Sequence, residues 1–500
     1  MSKGRGEQTM QAQKQKMVTI DWKPDRQSKE PIYAQIVSYI SHRISSGDWG
    51  SGQTLPSQRK LSELFGVNRS TIVEAMDELA SLGLIESSYG GGTRIASGSW
   101  SLLMQDKAPD WQSYIRGGSF RPNVPTVQMV NHLEFEEGII RMSTGELSPD
   151  LMQTAIAKQV LSNLSLGERS LFMNYPDPLG LPSLREALRR YLQKIGIDVP
   201  ISSILIVSGA LQALQLISTG IVQPGAKVCV EAPSYLSSLN IFQSVGARLC
   251  SMPMDEGGPL PWMSRETQND TSHALLYTIP TFQNPTGIVM PMSRREKLLK
   301  YCNDAHIPII EDDVFRDLWL DAPPPPPIKS LDGHGNVVYI GSLSKCFAPG
   351  LRLGWLAGPE AVVQRLADVK MQMDYGVSVL TQQVAEELLV TGLYEQGVQN
   401  IRSRLAGRRD FMMRLLERYF SDLAEWSAPS GSFFVWVRLK NRVSAEKLFN
   451  LALQEKLLIM PGGVYDRGHS SSIRLTYGYL PCEEMERGVR TLSSLIRTMR

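Results

Sequence analysis

Between residues 203 and 340 the chain alternates short apolar runs with helical segments, and this pattern narrows the available folds more than any other feature. The runs are 203–207, 227–231, 248–252, 274–278, 308–311 and 337–340. Strands covered on both faces read as continuous apolar runs, whereas half-exposed strands alternate. Segments 184–195, 211–221, 294–304 and 360–372 read as helices. Strands separated by helices predict an α/β domain with a mainly parallel sheet. Beyond Met373 the chain reads as mostly helical, until 432–437 and 472–476 supply strands for a smaller C-terminal α/β piece.

Ligands of an open parallel sheet gather at the carboxyl ends of its strands, and the unusual residues lie there. After 203–207 comes Ser208-Gly209-Ala210-Leu211, opening a helix whose first amides can cradle a phosphate. Tyr235 follows 227–231, and Pro280-Thr-Phe-Gln-Asn284-Pro-Thr-Gly follows 274–278. Glu311-Asp312-Asp313 ends the next run, and Ser342-Leu-Ser344-Lys345 follows the last. Each has a plain structural reading when taken singly: a glycine is a turn, Asn-Pro-Thr-Gly is a capped turn, and a loop lysine is a solvated charge. Five such groups in register at strand ends are hard to read that way. A lysine that forms an imine with an aldehyde must be partly desolvated, which lowers its pKa and frees the amine. Arg352, seven residues on, would add to that depression and can bind a phosphate.

The N-terminal hundred residues follow another plan. Ile32, Ile36, Tyr39, Ile40 and Ile44 mark a first helix by their spacing. Ser57 caps a second, from about Gln58 to Phe65, and Gly66-Val67 makes a turn. Asn68 is expected to cap a third, with Ile72, Ala75, Met76 and Leu79 on its apolar side. A hairpin with a Gly90-Gly91-Gly92 tip comes next, completing a winged helix-turn-helix. The third helix opens with Asn68-Arg69-Ser70-Thr71, all donors suited to base edges and phosphates, while Arg59 suits a backbone phosphate and Gly92 the wing. Glu74, Asp77 and Glu78 are expected to face away from DNA. The alternative is a small three-helix dimerisation domain with ordinary surface charges.

At 500 residues two or three domains are expected. The expected divisions are a disordered basic tail over 1–28, the winged helix over 29–97, a linker over 98–130 and the α/β domain over 131–500. The linker holds Trp100, Trp111, Tyr114 and Phe120, so its second half is expected to pack on the α/β domain. A net charge of +2 leaves any nucleic-acid contact to a local surface. No apolar run is long enough for a bilayer, and the polar start reads as no secretory signal. Five scattered cysteines without a Cys-x-x-Cys pair indicate neither metal nor disulfides and fit a reducing cytoplasm.

Two resemblances rest on these motifs. Leu55-Pro-Ser-Gln-Arg59, Val67-Asn-Arg-Ser-Thr71 and Gly92-Thr93 resemble the DNA-binding domain of GntR-type bacterial regulators, with Asn68 in place of the usual serine. Residues 145–477 resemble the fold-type I pyridoxal-phosphate enzymes of the aminotransferase class. That resemblance implies pyridoxal phosphate on Lys345, Asp312 at its ring nitrogen, Asn284 at its phenolic oxygen and Tyr235 stacked on the ring. It gives the phosphate to Ser342, Arg352 and the amides of Ala210 and Leu211, with Tyr175 reaching it across a dimer, and a substrate carboxylate to Arg474. Two departures stand out. Phe315 replaces the usual tyrosine three residues after the aspartate, and Ala210-Leu211 replace a hydroxyl residue and a glutamine. Both suggest weakened catalysis with cofactor binding retained.

The two halves together resemble the MocR subfamily of GntR-type transcription regulators. The resemblance implies a homodimer with a head-to-tail arrangement, on a double-stranded DNA operator, gated by the cofactor and an amino acid or amine effector. The alternatives are an active aminotransferase with an appended DNA-binding domain, and a sensor of pyridoxal phosphate itself.

Overall fold

The computed structural model describes residues 18–28, 30–45, 48–49, 52–82, 84–88, 92–96, 118, 122–151, 154–164, 174–268, 273–440, 443–466 and 470–499. Two compact units divide between Gly118 and Ser119.

In the first unit, α1 (Ile32–Ser45), α2 (Gln58–Phe65) and α3 (Arg69–Ser81) precede an antiparallel hairpin of β1 (Ile85–Ser88) and β2 (Gly92–Ile95). Ile36, Ile40 and Ile44 of α1 meet Leu61 and Phe65 of α2 and Ile72, Ala75 and Leu79 of α3 in one buried core. Ser57 accepts from the Lys60 amide to start α2, and Gly66 in the left-handed region ends it. The wing gains a third line of bonds, because the Leu55 amide donates to Thr93 O at 2.9 Å.

Three expectations change here. The tail expected over 1–28 lies outside the described residues only up to 17. From Val18 the chain packs on the helices: Val18 is buried, its amide donates to Thr54 O, and Trp22 stacks on Tyr39 at 4.6 Å between ring centroids. Aromatic burial outweighs the polar composition there. Asn68 makes no side-chain cap on α3; it is exposed, and water can satisfy its amide in place of the helix amides. Glu74 and Asp77 lie four and seven residues after Ser70, all exposed, so helical spacing puts them on the face that Ser70 occupies, not behind it. The wing tip at 89–91 and the linker aromatics Trp100, Trp111, Tyr114 and Phe120 lie outside the described residues.

The second unit opens with α4 (Pro125–Leu133), whose Val130 is buried. Its main sheet holds β3 (Ile204–Val207), β4 (Lys227–Glu231), β5 (Arg248–Met252), β6 (Ala274–Thr278), β7 (Ile309–Asp312), β8 (Val337–Ser342) and β9 (Gly354–Ala357), in the order β3-β9-β8-β7-β6-β4-β5. All neighbours run parallel except β9, which is antiparallel to β3 and β8. The expected sheet lacked β9: Gly354–Ala357 is a four-residue segment led by a glycine, and only its pairing with β3 and β8 makes it a strand. Both faces are covered: Leu205 and Val207 enter one apolar cluster, while Ile204 and Ile206 enter another. That is the burial the unbroken apolar runs required.

A long helix, α5 (Leu393–Phe420), leads to a four-stranded antiparallel sheet that contains β10 (Phe434–Leu439) and β11 (Ser472–Thr476). The strand expected at 432 starts at Phe434, since Ser432 has a φ of 64°, outside the extended region. The proline run 323–327 is held from beneath: Arg316 donates to Pro325 O at 2.8 Å and Arg295 to Pro326 O at 3.2 Å. Among the described residues no helix is long and apolar enough to cross a membrane.

Candidate functional site

The carboxyl ends of β3, β4, β6, β7 and β8 open on one cavity of about 510 Å³. Parallel strands end at the same edge, so residues distant in sequence meet there. Lys345, Asp312, Asn284, Tyr235, Ser342, Arg352, Ala210, Leu211 and Arg474 all line it. Tyr175 does not. It is 80% exposed and lies against Tyr375, at 5.0 Å between ring centroids.

The Lys345 ammonium donates to Gly145 O at 2.5 Å. Desolvation, helped by the nearby Arg474 charge, lowers its pKa to about 8. The Asp312 carboxylate ends β7 and is buried; Oδ2 accepts from Tyr277 at 2.7 Å, while Oδ1 has no partner. Burial raises its pKa to about 6, so a cation beside it would be strongly favoured. Arg474, on β11, is buried too: Nη1 donates to Asn284 Oδ1 at 2.9 Å and Nη2 to Ser143 O at 2.7 Å, while Nε lacks a partner. Asn284 Oδ1 is thereby engaged, which leaves its NH2 as the donor end.

The β3–helix junction has the form of an anion cup. The helix Ala210–Gly220 begins after Gly209, and its first amides have no acceptor within the helix. Gly209 has a φ of 88°, and a Cβ there would come 2.8 Å from Arg352 Nη2, so only glycine lets the guanidinium approach. Ser342 Oγ is already used, donating to Leu353 O and accepting from the Ser344 amide, both at 3.1 Å. Ser344 Oγ is buried without a partner and also lines the cavity. Sequence reasoning placed Ser344 beside the lysine but gave it no ligand, although a hydroxyl directly before the lysine was a signal.

Glu231 was missed as well. This buried carboxylate accepts from Thr278 Oγ1, the Ile279 amide and Gln283 Nε2, which ties the loop bearing Asn284 to the end of β4. Burial pushes its pKa to about 7. Phe315 is buried at the cavity wall, edge-on to Phe433 and Phe434 at 5.7 and 5.5 Å, and presents no hydroxyl.

In the first unit Arg59, Asn68, Arg69, Ser70 and Gly92 are exposed and Thr71 is half-buried. Arg59 stands 3.7 Å from Glu63, and its side chain is 90% exposed. The opening of α3 and the base of the wing thus present donors to solvent.

Residues 137–492 match the family described as aminotransferase class I and II, and residues 32–95 match the bacterial regulatory proteins of the gntR family. The chain is 44% identical to the uncharacterized HTH-type transcriptional regulator YdfD of Bacillus subtilis, covering 95% of this chain and 98% of that one. It is 43% identical to YisV of the same organism, likewise described as an uncharacterized HTH-type transcriptional regulator, over 97% and 99% of the two chains. A crystal structure of Pyrococcus horikoshii kynurenine aminotransferase, in complex with PMP and KYN as substrates and KYA as products, superposes with a TM-score of 0.72. It is 27% identical and spans 79% of this chain and 99% of its own. Joined in one chain, a gntR-family winged helix and an aminotransferase class I and II domain make this protein a DNA-binding transcription regulator belonging to the MocR subfamily.

Proposed function

We propose that pyridoxal phosphate and an amino-compound effector, bound in the cavity of the second unit, gate operator binding by the winged helix. The observation that carries this reading is Lys345: a desolvated amine whose pKa falls to about 8, in one cavity with an unpartnered carboxylate oxygen and a buried arginine. The residues fit the cofactor. Asp312 Oδ1 lacks the cation that a protonated ring nitrogen would supply, and Ser344 Oγ lacks an acceptor that a phosphate would supply. Gly209 leaves room for Arg352 at the helix start.

When bound, the cofactor supplies an aldehyde that an amine can engage. Lys345 would hold it covalently, Asp312 would keep its ring nitrogen protonated, and Asn284 would donate to its phenolic oxygen. Tyr235 would cover the ring face. Ser344, Arg352 and the amides of Ala210 and Leu211 would bind the phosphate, joined by Ser342 only once its hydroxyl releases Leu353 O, and Arg474 would bind an effector carboxylate through a two-pronged contact. Tyr175, exposed and outside its own cavity, suits a contact with the phosphate in a partner subunit, which favours a homodimer. On the DNA side, Arg69, Ser70 and Asn68 reach base edges, while Arg59, Thr71 and Gly92 serve the backbone. An effector shifts DNA affinity only by the difference in its affinity for the two states.

The test measures operator affinity for apo-protein, for cofactor-loaded protein, and for loaded protein with each amine that shifts the visible absorbance. Equal affinity in all three overturns the gating. A change on loading that no amine extends makes the protein a sensor of the cofactor itself. The complete Lys345, Asp312, Asn284 and Arg474 set favours a second reading, an active aminotransferase, and steady formation of keto acid would establish it.

A further inference from the structure

We infer that the effector is an amino acid whose side chain ends in a second cationic group, a diamino or guanidino monocarboxylic acid. This rests on the reading of the cavity as an amine-effector site.

The argument is one of charge matching. Six charged side chains line the cavity: Lys345, Arg352, Arg474, Asp312, Glu134 and Glu146. Under the proposed function Arg352 answers the phosphate, Asp312 the ring nitrogen and Lys345 the aldehyde. The space left for the effector then meets one positive charge, Arg474, and two negative ones. An amino acid whose carboxylate lies on Arg474 presents its side chain to Glu134 and Glu146. A neutral side chain leaves both carboxylates unmatched, and an acidic one is repelled by them.

The position of Glu134 is built into the fold. Ser143 Oγ donates to Glu134 Oε1 at 3.2 Å, and the carbonyl of that same serine receives Arg474 Nη2 at 2.7 Å. One residue therefore sets the carboxylate and the guanidinium at fixed places along the cavity. Val127, Val130, Asn131 and Glu134 fall on one stripe of α4 and its end, and all four line the cavity. Glu134 stands at the carboxyl end of α4, where the last helix carbonyls add to the negative field. Both carboxylates act on the Lys345 ammonium, so their field reaches the reacting amine. The unpartnered Nε of buried Arg474 and the unpartnered Oγ1 of buried Thr144 mark the same space as one that awaits a polar ligand.

The experiment titrates the cofactor-loaded protein with L-lysine, L-ornithine, L-norleucine and L-glutamate, and follows the visible absorbance band. Lysine or ornithine should half-saturate at about one thirtieth of the norleucine concentration, as expected of a hydrogen-bonded charge pair with a second, exposed carboxylate nearby. Glutamate should be the weakest. Glu134→Gln, which keeps an acceptor for Ser143, should narrow the ratio of lysine to norleucine affinity about tenfold. Glu146→Gln should narrow it about threefold, since Glu146 is exposed. Norleucine binding as tightly as both diamino acids, or a ratio that neither variant moves, overturns this inference alone. A band that no amine shifts overturns the amine-site reading and this inference with it.

Discussion

Arg474 and Asn284 share a hydrogen bond of 2.9 Å, although they come from different sheets: Arg474 from β11 of the small sheet, Asn284 from the loop after β6 of the large one. Each is assigned a different partner, an effector carboxylate and the phenolic oxygen of the cofactor. Under the proposed function, a ligand that draws on Arg474 would act on Asn284, and through it on the ring. The bond would then couple effector capture to the electronics of the cofactor, and it links the small sheet to the large one.

Lys345 should be the point of covalent attachment. Borohydride reduction of the yellow protein, with peptide mapping of the product, should place the adduct on Lys345, and Lys345→Ala should lack the visible band. An adduct on another lysine would exclude the assignment.

Capture of pyridoxal phosphate by the apo-protein should depend on pH through this same amine. Only the neutral amine attacks, and its pKa lies at about 8, below the usual 10.5. The rate should rise as pH climbs through about 8 and level off above it, falling about tenfold for each unit below. A rise delayed to the ordinary lysine range would mean that the ammonium is not desolvated.

Arg69→Ala should lose about 1–3 kcal/mol of operator affinity, the value of a good contact to a base edge. Its visible spectrum should match that of the parent protein, because Arg69 belongs to the first unit. Competition binding with operator and unrelated DNA separates this from a phosphate contact, which would weaken both equally.

Transamination should be slow, below about one turnover per second. Phe315 gives the phenolic oxygen no second donor. Phe315→Tyr should raise keto acid production by about tenfold, the lower worth of one hydrogen bond to a charged group. If both proteins turn over rapidly and alike, Phe315 has no bearing on the restraint.

Trp22→Ala should destabilise the winged helix by about 2 kcal/mol, less than a fully buried tryptophan would cost, since Trp22 is half-buried. Hydrogen exchange of the α1 and α3 amides in the full chain should read it. Unaltered protection would show that residues 18–28 cover the helices without supporting them.

How much was legible in the sequence depended on how local the signal was. The runs that became β3, β6 and β8 were apolar along nearly their whole length, and burial on both faces is a property of each strand by itself. Ser57 and Gly66 bounded α2 through bonds to near neighbours. Lys345, Asp312 and Asn284 could be placed because a parallel sheet delivers every strand end to one edge. Other features depended on contacts between distant segments. β9 has an ordinary apolar sequence, and only its pairing with β3 and β8 makes it a strand. Residues 18–28 look like a polar tail until Trp22 meets Tyr39. Glu134 is one acid among many at a helix end until Ser143 sets it beside Arg474. Nothing in the local sequence encodes that meeting, since the two residues lie 340 positions apart and share the cavity only when both sheets are in place.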